Sequence, residues 1–318
     1  MKVAAVVVNW NQAALTRACV ESLLAGHTLP WRILVVDNGS PEDPREELGA
    51  VSPNLQWIML PENRGFAAGA NAGMRKALAE GANGVFLINN DAIADRRCLH
   101  ELVAALRSDA TLAAVGAKTL TQEEPPRIHT AFGVLTYHGP LVQQRGWMEP
   151  DTSQFNEFAI VDYVSGCAML LRREALERVG LFDEEFFAYH EDLDWCIRAR
   201  AAGYRVGYVP SALVYHRMHA STGGGGYLSP ITYLSARNAI LFVRKNAPLH
   251  LQAKYAIHLF VNLLKDAAFR WRRNEWAGFR LRLLGIRDGI LRRPVPVHEL
   301  GLASQARWHD ERRRKGYG

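Results

Sequence analysis

Acidic side chains crowd one short stretch of this sequence, where they could take a proton from a substrate. Glu191, Asp192 and Asp194 lie within four residues at the expected start of a helix. Neighbouring carboxylates raise one another's pKa, and a raised pKa suits a carboxylate to act as a general base toward a hydroxyl group. The alternative is structural, because the helix dipole favours acidic residues in the first turn.

Four further polar residues follow short apolar runs, where they could bind a ligand or simply form turns. They are Asn9, Asn11, Asp37 and Asp91. A carboxylate such as Asp91 could hold a divalent cation that bridges substrate phosphates, since Mg²⁺ often takes only one or two protein carboxylates. Any one of these positions taken alone is better explained as a turn former. Their recurrence weakens that explanation.

The glycine-rich segment 65–73 fits neither of the two common phosphate-binding loops. The fingerprints G-x-G-x-x-G and G-x-x-x-x-G-K-[ST] are absent, which argues against an NAD enzyme and an ATPase. We expect these glycines to let the backbone approach a helix or a ligand closely. Arg64 precedes them and could pair with a phosphate, although a solvated surface arginine explains it equally well.

The intervening sequence alternates apolar runs with helical spacing. Strands are predicted at 2–8, 33–36, 55–60, 84–89 and 112–117, and helices at 15–24, 44–48, 71–80 and 99–108. This alternation predicts a mostly parallel, doubly wound sheet whose ligands bind beyond the carboxyl ends of the strands. The later pattern predicts a loop or short antiparallel strands at 122–150, a helix at 191–202, and strands at 205–209 and 212–215. His216 ends the last of these strands beside glycines 223–226. Taken alone it is better explained as structural, with His190 and His219 as rivals for any role.

Composition narrows the class of protein. Of 318 residues, 48% are hydrophobic and 22% charged, which is typical of a soluble globular chain. Four scattered cysteines form no C-x-x-C pair, so we predict neither a zinc site nor a redox dithiol, and we expect a reducing cytoplasm. Neither a signal peptide nor a membrane-spanning run is evident.

The charge is divided unevenly along the chain. From Arg244 onward there are 17 Lys and Arg against 6 Asp and Glu, whereas the preceding part has 21 against 26. This asymmetry points to an anionic partner at the C-terminal end. Apolar residues at helical spacing within 249–291, with cations between them, fit an interfacial helix on an anionic membrane surface. An ordinary helical pair packed on the preceding domain is the equal alternative, and nucleic acid is not expected.

Eight segments, taken in order, resemble family 2 glycosyltransferases of the GT-A fold, especially the bacterial rhamnosyltransferase-like branch. They are VVVNWNQ (6–12), VVDNGS (35–40), ENRGFAAGANAG (62–73), FLINNDA (86–92), VSGCAMLLRR (164–173), FDEEFFAYHEDLDWCIRARAAGY (182–204), VYHRMHAST (214–222) and SARN (235–238). The resemblance implies an α/β, doubly wound mixed sheet over residues 1–243, with a nucleotide-sugar half to about residue 120 and an acceptor half beyond it. Residues 244–318 would form a basic, helical extension.

The resemblance also implies a role for each matching residue. Asp37 would bind the nucleotide base, and the other donor-binding residues would be Asn9, Asn11, Arg64, Asn71 and Asn90. Asp91 matches the last residue of the metal-binding D-x-D motif, and His216 matches a histidine that completes the site for Mg²⁺ or Mn²⁺. Asn89 stands at the first position of that motif, which puts the need for the metal in question.

On the acceptor side, the resemblance makes Asp192 the catalytic base, with Glu191 and Gly166 beside the acceptor. It implies an inverting transfer from a nucleoside-diphosphate sugar, either dTDP-rhamnose or a UDP-sugar. The acceptor would be a saccharide or a lipid-linked saccharide in bacterial surface-polysaccharide synthesis, and the enzyme would be cytoplasmic or peripheral on the inner face of the membrane. The alternative is a non-catalytic, nucleotide-sugar-binding scaffold of a polysaccharide assembly complex.

Overall fold

The computed structural model describes residues 1–49, 51–138, 140–217, 227–273 and 276–304. The strands are β1 (Val3–Asn9), β2 (Arg32–Asn38), β3 (Leu55–Leu60), β4 (Gly84–Asn89), β5 (Ala92–Ala94), β6 (Leu112–Thr121), β7 (Ile128–Thr130), β8 (Gly133–Leu135), β9 (Val142–Gln144), β10 (Ala159–Ile160), β11 (Ala168–Arg172) and β12 (Arg205–His216). The α-helices are α1 (Ala13–Leu24), α2 (Pro44–Leu48), α3 (Gly65–Ala79), α4 (Cys98–Ser108), α5 (Arg173–Val179), α6 (Glu191–Ala201), α7 (Pro230–Asn246), α8 (Leu249–Arg273) and α9 (Trp276–Leu291).

A ten-stranded mixed sheet forms the centre of the molecule. Its main order is β10-β12-β6-β11-β4-β1-β2-β3, with β5 paired to β12 and β7 to β6. The pairs β1–β2, β1–β4, β2–β3 and β6–β12 are parallel. Strand β11 runs antiparallel between β4 and β6. The carboxyl ends of the parallel strands therefore meet at one edge, as the predicted doubly wound arrangement requires.

Both faces of the sheet are covered, which explains why β1 is apolar throughout. Ala4, Val6 and Val8 pack into the core under α3, α5, α6 and α7. The alternate residues Val3, Ala5 and Val7 pack into a second core under α1 and α4. Successive strand residues point to opposite faces, so a doubly covered strand reads as an unbroken apolar run.

The glycines of α3 allow it to lie very close to β1. A Cβ atom at Gly73 would come within 2.4 Å of Val6 Cγ1, and one at Gly69 within 2.8 Å of Val8 Cγ1. The glycines thus permit a close approach, as expected, but the neighbouring element is the strand β1 rather than a helix or a ligand. The helix begins at Gly65 rather than at residue 71 as predicted, because packing against the sheet outweighs the low helix propensity of glycine.

Two other sequence expectations change in the structure. The strands predicted at 205–209 and 212–215 form one strand, β12, with a register shift between Val209 and Leu213 that accommodates Pro210. Residues 122–150 contain the short antiparallel strands β7, β8 and β9, one of the two predicted alternatives. His219 and glycines 223–226 lie outside the described residues.

The last three helices pack against one another, and α7 also packs against α6. Helix α7 crosses residue 243, where the sequence predicts a domain boundary, and lies along α9, which also contacts α8. In the part of the chain that the structure describes, none of the helices is long and apolar enough to cross a membrane.

Candidate active site

A cavity of about 760 Å³ lies at the carboxyl ends of β1 and β4. Its far wall is formed by the C-terminal helices, through Ile231 of α7, Tyr255 and Leu259 of α8, and Ile286 of α9. Six of the residues predicted for the site line this cavity together: Asn90, Asp91, Gly166, Glu191, Asp192 and His216. The topology thus joins residues from the loop after β4, the end of β12 and the start of α6.

Asp91 and His216 form one pole of the cavity. Asp91 Oδ1 lies 2.9 Å from His216 Nε2, and both side chains are buried. Burial alone lowers the pKa of His216, but the neighbouring Cys167 and the hydrogen bond to Asp91 outweigh it and raise that pKa well above its usual value. A carboxylate and an imidazole so close together are mutually oriented before any ligand binds.

These two groups fit a divalent cation only in partnership with a substrate. Among the described residues, no group of three or more His, Cys, Asp or Glu side chains is placed to hold a metal ion. Asp91 and His216 supply one oxygen and one nitrogen, and Mg²⁺ or Mn²⁺ commonly completes its shell from phosphate oxygens and water. Asn89 Nδ2 lies 3.5 Å from His216 Nε2, so the variant position of the motif faces the same point. The residues present therefore fit a metal shared with a diphosphate.

His129 belongs to this pole although the sequence gave it no role. Its Nδ1 lies 3.2 Å from Nδ1 of His216, and its ring packs on Trp147 with centroids 5.1 Å apart. A ligand imidazole is usually oriented through its second ring nitrogen, and His129 occupies that position. His129 lies on β7, within the region 122–150 where hydrophobic periodicity fades, so local patterning carried no signal for it.

Asp192 and Glu191 form the opposite pole. Asp192 accepts hydrogen bonds from the backbone N–H of Gly166 at 2.8 Å and of Leu193 at 2.7 Å. Burial raises the pKa of Asp192 despite these two donors. Burial and the charge of Asp192 raise the pKa of Glu191 well above its usual value. Glu191 Oε2 is buried without a hydrogen-bond partner among the described residues, which leaves it available to a ligand.

The turn that delivers these carboxylates is strained and is held from outside. Phe187, Tyr189 and His190 have positive φ angles of 63°, 70° and 72°. The Asn238 side chain donates from Nδ2 to the carbonyls of Phe186, Ala188 and Tyr189 at 2.7–2.8 Å. Non-glycine residues keep such angles only when their surroundings fix them. Asn238, part of the SARN segment of α7, is thus a positioning residue that the sequence singled out without a role.

On the donor side, the predicted residues hydrogen-bond chiefly to one another. Asp37 is fully buried and accepts from Asn9 Nδ2 at 2.7 Å and from Ser40 Oγ at 2.6 Å. Thr16 Oγ1 donates to Asn9 Oδ1 at 2.7 Å. Burial raises the pKa of Asp37, and the bonds from Ser40 and Asn9 oppose that rise. We call these four residues, Asn9, Thr16, Asp37 and Ser40, the donor shelf.

The other predicted donor residues surround this shelf. The backbone N–H of Asn11 donates to Ser40 Oγ at 2.9 Å. Asn71 is buried and exchanges hydrogen bonds with the backbone of Phe182, while Arg64 is largely exposed, 3.4 Å from Glu184. None of these three lines the cavity, whereas Trp10, Asn38 and Asn63, which sequence reasoning passed over, do.

The sequence profile described as Glycosyl transferase family 2 matches residues 4–180. The chain belongs to this family. Among curated relatives, this family 2 chain is 25% identical over 175 residues to the low-salt glycan biosynthesis hexosyltransferase Agl10 of Haloferax volcanii, covering 55% of each chain. It is 24% identical over 267 residues to the dTDP-rhamnosyl transferase RfbF of Shigella flexneri, covering 81% of this chain and 86% of RfbF. The chain thus spans about half the length of Agl10 but most of RfbF.

Solved structures show the same architecture for this family 2 chain. GalNAc-T7 with UDP, GalNAc and Mn²⁺ superposes with a TM-score of 0.62 at 15% identity, covering 77% of this chain and 48% of that one. The mannosyltransferase PcManGT of Pyrobaculum calidifontis, in complex with GDP-Man and Mn²⁺, gives 0.57 at 17% identity, covering 91% and 87%. The predicted family and the predicted GT-A fold with a helical C-terminal region are confirmed.

Proposed function

We propose that the chain is an inverting glycosyltransferase that transfers a sugar from a nucleoside-diphosphate sugar to a hydroxyl group of a saccharide or lipid-linked saccharide. One observation carries the proposal. Asp192, a carboxylate with a raised pKa, lines the same cavity as the Asp91–His216 pair. A base and a diphosphate-binding pole across one cavity are the two parts that a direct sugar transfer needs.

The chain's own residues account for the proton and for acceptor binding. Asp192 takes the proton of the acceptor hydroxyl as its oxygen bonds to the anomeric carbon and the bond to the diphosphate oxygen breaks. Glu191 Oε2 accepts a hydrogen bond from the acceptor and holds it beside Asp192. A single base facing the diphosphate-binding pole favours displacement with inversion. Asp91 and His216 would hold Mg²⁺ or Mn²⁺, which when bound stabilises the negative charge of the departing diphosphate.

Removing the base tests the reaction directly. We expect Asp192→Asn to lower kcat by about 10²–10⁴-fold, the usual contribution of a general base, while nucleotide affinity stays unchanged. Glu191→Gln is the matched control, because it changes the neighbouring carboxylate and should raise the acceptor KM more than it lowers kcat. Equal, undetectable turnover in the wild type and Asp192→Asn over a broad acceptor panel would instead favour the non-catalytic scaffold.

Calorimetric titration with dTDP, UDP and GDP, each with and without Mn²⁺, identifies the donor. Similarity to a dTDP-rhamnosyl transferase supports dTDP-rhamnose, and a UDP-sugar remains the second candidate. We expect one nucleotide to bind most tightly and to gain affinity with Mn²⁺. Binding of none of the three by the folded protein would contradict the donor site.

The outer face of α8 supports the proposal of a membrane-bound acceptor. The apolar residues predicted at helical spacing are the exposed ones: Phe260 is 62% and Trp271 74% exposed, and Ile257, Val261 and Leu264 lie on the same stripe. We call these five residues the outer stripe. Leu251, Leu259 and Leu263 on the other side of α8 pack against the core, so the helix is packed on the preceding domain and still presents the outer stripe. An exposed apolar face of this size marks an interaction surface.

The charge beside the outer stripe favours an anionic bilayer as its partner. Lys265 and Arg272 are exposed on α8, and Arg280 and Arg287 are exposed on the neighbouring α9. Apolar residues flanked by cations bind an anionic bilayer in two ways. The apolar side chains are buried in the bilayer, and the cations are attracted to the anionic headgroups. The inner side of α8 contributes Tyr255, Leu259 and Asn262 to the cavity wall, so one helix would separate the acceptor site from the membrane. We therefore propose a peripheral enzyme on the inner face of the cytoplasmic membrane.

Vesicle co-sedimentation tests this attachment. We expect binding to vesicles containing phosphatidylglycerol, weaker binding to neutral phosphatidylcholine, and loss of binding in the double variant Phe260→Ser, Leu264→Ser. Leu29→Ser is the matched control, because Leu29 is similarly exposed but lies outside α8. Unchanged binding in the double variant would overturn the assignment of the outer stripe.

A further inference from the structure

The segment after α9 returns to the donor side of the sheet. Residues 295–304, which we call the strap, pass from the end of α9 to the loops that follow β1, β2 and β3. Leu302 is buried against Tyr233 and Leu234 of α7, and Val295, Val297 and Leu300 pack around the same cluster. The strap is therefore fixed to the molecule by apolar contacts before it reaches the loops.

A single serine at the end of the strap connects the first two loops. Trp10 Nε1 donates to Ser304 Oγ at 2.7 Å, and Ser304 Oγ donates to the carbonyl of Gly39 at 2.6 Å. Trp10 follows Asn9, and Gly39 lies between Asp37 and Ser40 of the donor shelf. The hydroxyl group uses both its donor and one acceptor position, so its orientation is fixed.

The third loop is held through the backbone of the strap. The N–H of Asn63 donates to the carbonyl of Ser304 at 3.2 Å, and Asn63 Nδ2 donates to the carbonyl of Leu302 at 2.8 Å. Asn63 Oδ1 in turn accepts from Asn38 Nδ2 at 2.9 Å. Two strap residues thus reach all three loops at the carboxyl ends of β1, β2 and β3.

The strap also forms part of the cavity that contains the candidate catalytic groups. Leu302, Trp10, Asn38 and Asn63 all line it, together with Asp91. The donor shelf itself does not, because its polar groups are directed at one another. On this side the cavity is lined by the strap, by the residues that the strap holds, and by Val8, Gly65 and Phe66.

We infer that the strap is a working part of the donor site, with Ser304 and Trp10 as positioning residues for the nucleoside diphosphate. This inference rests on the proposed function, since it assigns the nucleotide to this end of the cavity. The strap holds the three loops at the spacing in which they bind the nucleotide. The loops therefore lose less conformational entropy when the donor binds. Loss of the strap contacts should weaken donor binding without affecting the chemical step.

Point variants of the full chain test the inference. Ser304→Ala removes the bridging hydroxyl, and Trp10→Phe keeps an aromatic ring but removes the indole N–H. We expect Trp10→Phe to raise the Kd for the nucleotide and the donor KM by about three- to tenfold, the usual effect of one hydrogen bond, with kcat at saturating donor unchanged. Ser304→Ala loses two hydrogen bonds and should have at least as large an effect. The double variant should be little weaker than Ser304→Ala, because Ser304→Ala already breaks the contact that Trp10→Phe removes.

Two further variants make the test specific. Leu302→Asp puts a charge in the apolar anchor and should release the whole strap, weakening nucleotide binding more than Ser304→Ala does. Ser108→Ala is the control, since its hydroxyl bonds only to the Ala105 carbonyl within the described chain, at an exposed helix end. Thermal unfolding of each variant, measured alongside binding, identifies any that fails to fold, and Ser304→Ala then carries the test.

The outcomes separate this inference from the proposed function. If the wild type binds a nucleotide and Ser304→Ala, Trp10→Phe and Leu302→Asp all bind it equally well, the strap has no part in donor binding. If release of the strap tightens binding, the segment obstructs the site and the inference is wrong in sign. If the folded wild type binds no nucleotide at all, it is the proposed function that fails.

Discussion

The donor shelf, which lies outside the cavity lining, and the pole of Asp192 and Glu191, which we propose as the catalytic pole, are built on opposite principles. On the donor shelf, Asn9, Asp37 and Ser40 hydrogen-bond to one another, so their polar groups are largely satisfied before any ligand arrives. At the catalytic pole, Glu191 Oε2 has no partner among the described residues and Asp192 has a raised pKa. The first arrangement fixes the shape of loops, and the second holds groups in a reactive state.

This difference shows where the fold places its strain. Beside the shelf Asn11 alone among residues 9–16 and 37–40 is a non-glycine residue with positive φ, whereas the turn before Asp192 has three. Its stability comes from α7, through Asn238. Groups kept unpaired for chemistry lower stability, and neighbouring structure has to offset that loss. Four predictions test the contrast, from the largest expected effect to the smallest.

Loss of the three hydrogen bonds that Asn238 donates to the turn should affect only the catalytic pole. We expect Asn238→Ala to lower kcat by about 10²-fold, the scale of a misplacement of roughly 1 Å, because three carbonyls of the turn lose their donor. Nucleotide affinity should change little, since Asn238 does not contact the donor shelf. Steady-state kinetics and calorimetry on the same preparation measure both. An equal loss of nucleotide affinity would show that the donor shelf and the catalytic pole are not independent.

Alanine at Asp37 of the donor shelf and at Asp192 of the catalytic pole should have different effects on stability. Asp37→Ala leaves the buried donors of Asn9 and Ser40 unpaired and should lower the free energy of unfolding by about 1–3 kcal/mol. Asp192→Ala leaves unpaired only the backbone donors of Gly166 and Leu193, which line the cavity and can bind water, so it should change stability less than Asp37→Ala. Urea unfolding at neutral pH compares them. Equal destabilisation by Asp37→Ala and Asp192→Ala would contradict the distinction between the donor shelf and the catalytic pole.

Substitution of His129 should weaken metal binding while the donor shelf and the catalytic pole stay folded. We expect His129→Ala to weaken Mn²⁺ binding about tenfold in the presence of nucleotide, because His216 loses the partner at its second ring nitrogen. Electron paramagnetic resonance of free Mn²⁺ measures this without turnover. His138→Ala is the control, since His138 is exposed and packs on His258. If both variants bind Mn²⁺ like the wild type, His129 does not orient the site.

The pH dependence should report on the catalytic pole. Burial raises the pKa of Asp192, so its basic form is lost at a higher pH than for an exposed aspartate as the pH falls. The pH at which kcat/KM falls on acidification should therefore be correspondingly high. Because burial and not Glu191 raises the pKa of Asp192, Glu191→Gln should leave that pH unchanged, and a pH that moves would show that Glu191 is charged beside Asp192.

Much of the fold could be predicted because it depends on local patterning. The unbroken apolar run of β1 predicts a doubly covered strand, and the acidic residues from Glu191 onward mark the start of α6 where the structure has it. The placement of β11 between β4 and β6 could not be predicted in this way. A strand's periodicity says which face is buried but not which strand is its neighbour.

The candidate site was harder to predict for a similar reason. Residue type and position left structural explanations open for Asp91, Asp192 and His216, and the family resemblance assigned them to a site; the structure brings all three to one cavity. Nothing local distinguished Asp37, buried and bonded within the shelf, from a residue that faces a ligand. His129 and Ser304 gave no signal because their roles come from partners far away in the sequence. For α8, helical spacing predicted an apolar stripe but could not say whether it faces inward or outward.

The strap also has a consequence for biosynthesis. Ser304 lies 294 residues after Trp10 and 265 after Gly39. A ribosome adding about 5–20 residues per second needs roughly a quarter of a minute to a minute to cover that distance. The loops that begin the chain are therefore exposed to chaperones and proteases for that whole interval without their final contacts. Contacts between residues so distant in sequence also form slowly. The loops after β1 and β2 are therefore translated early but reach their final structure late.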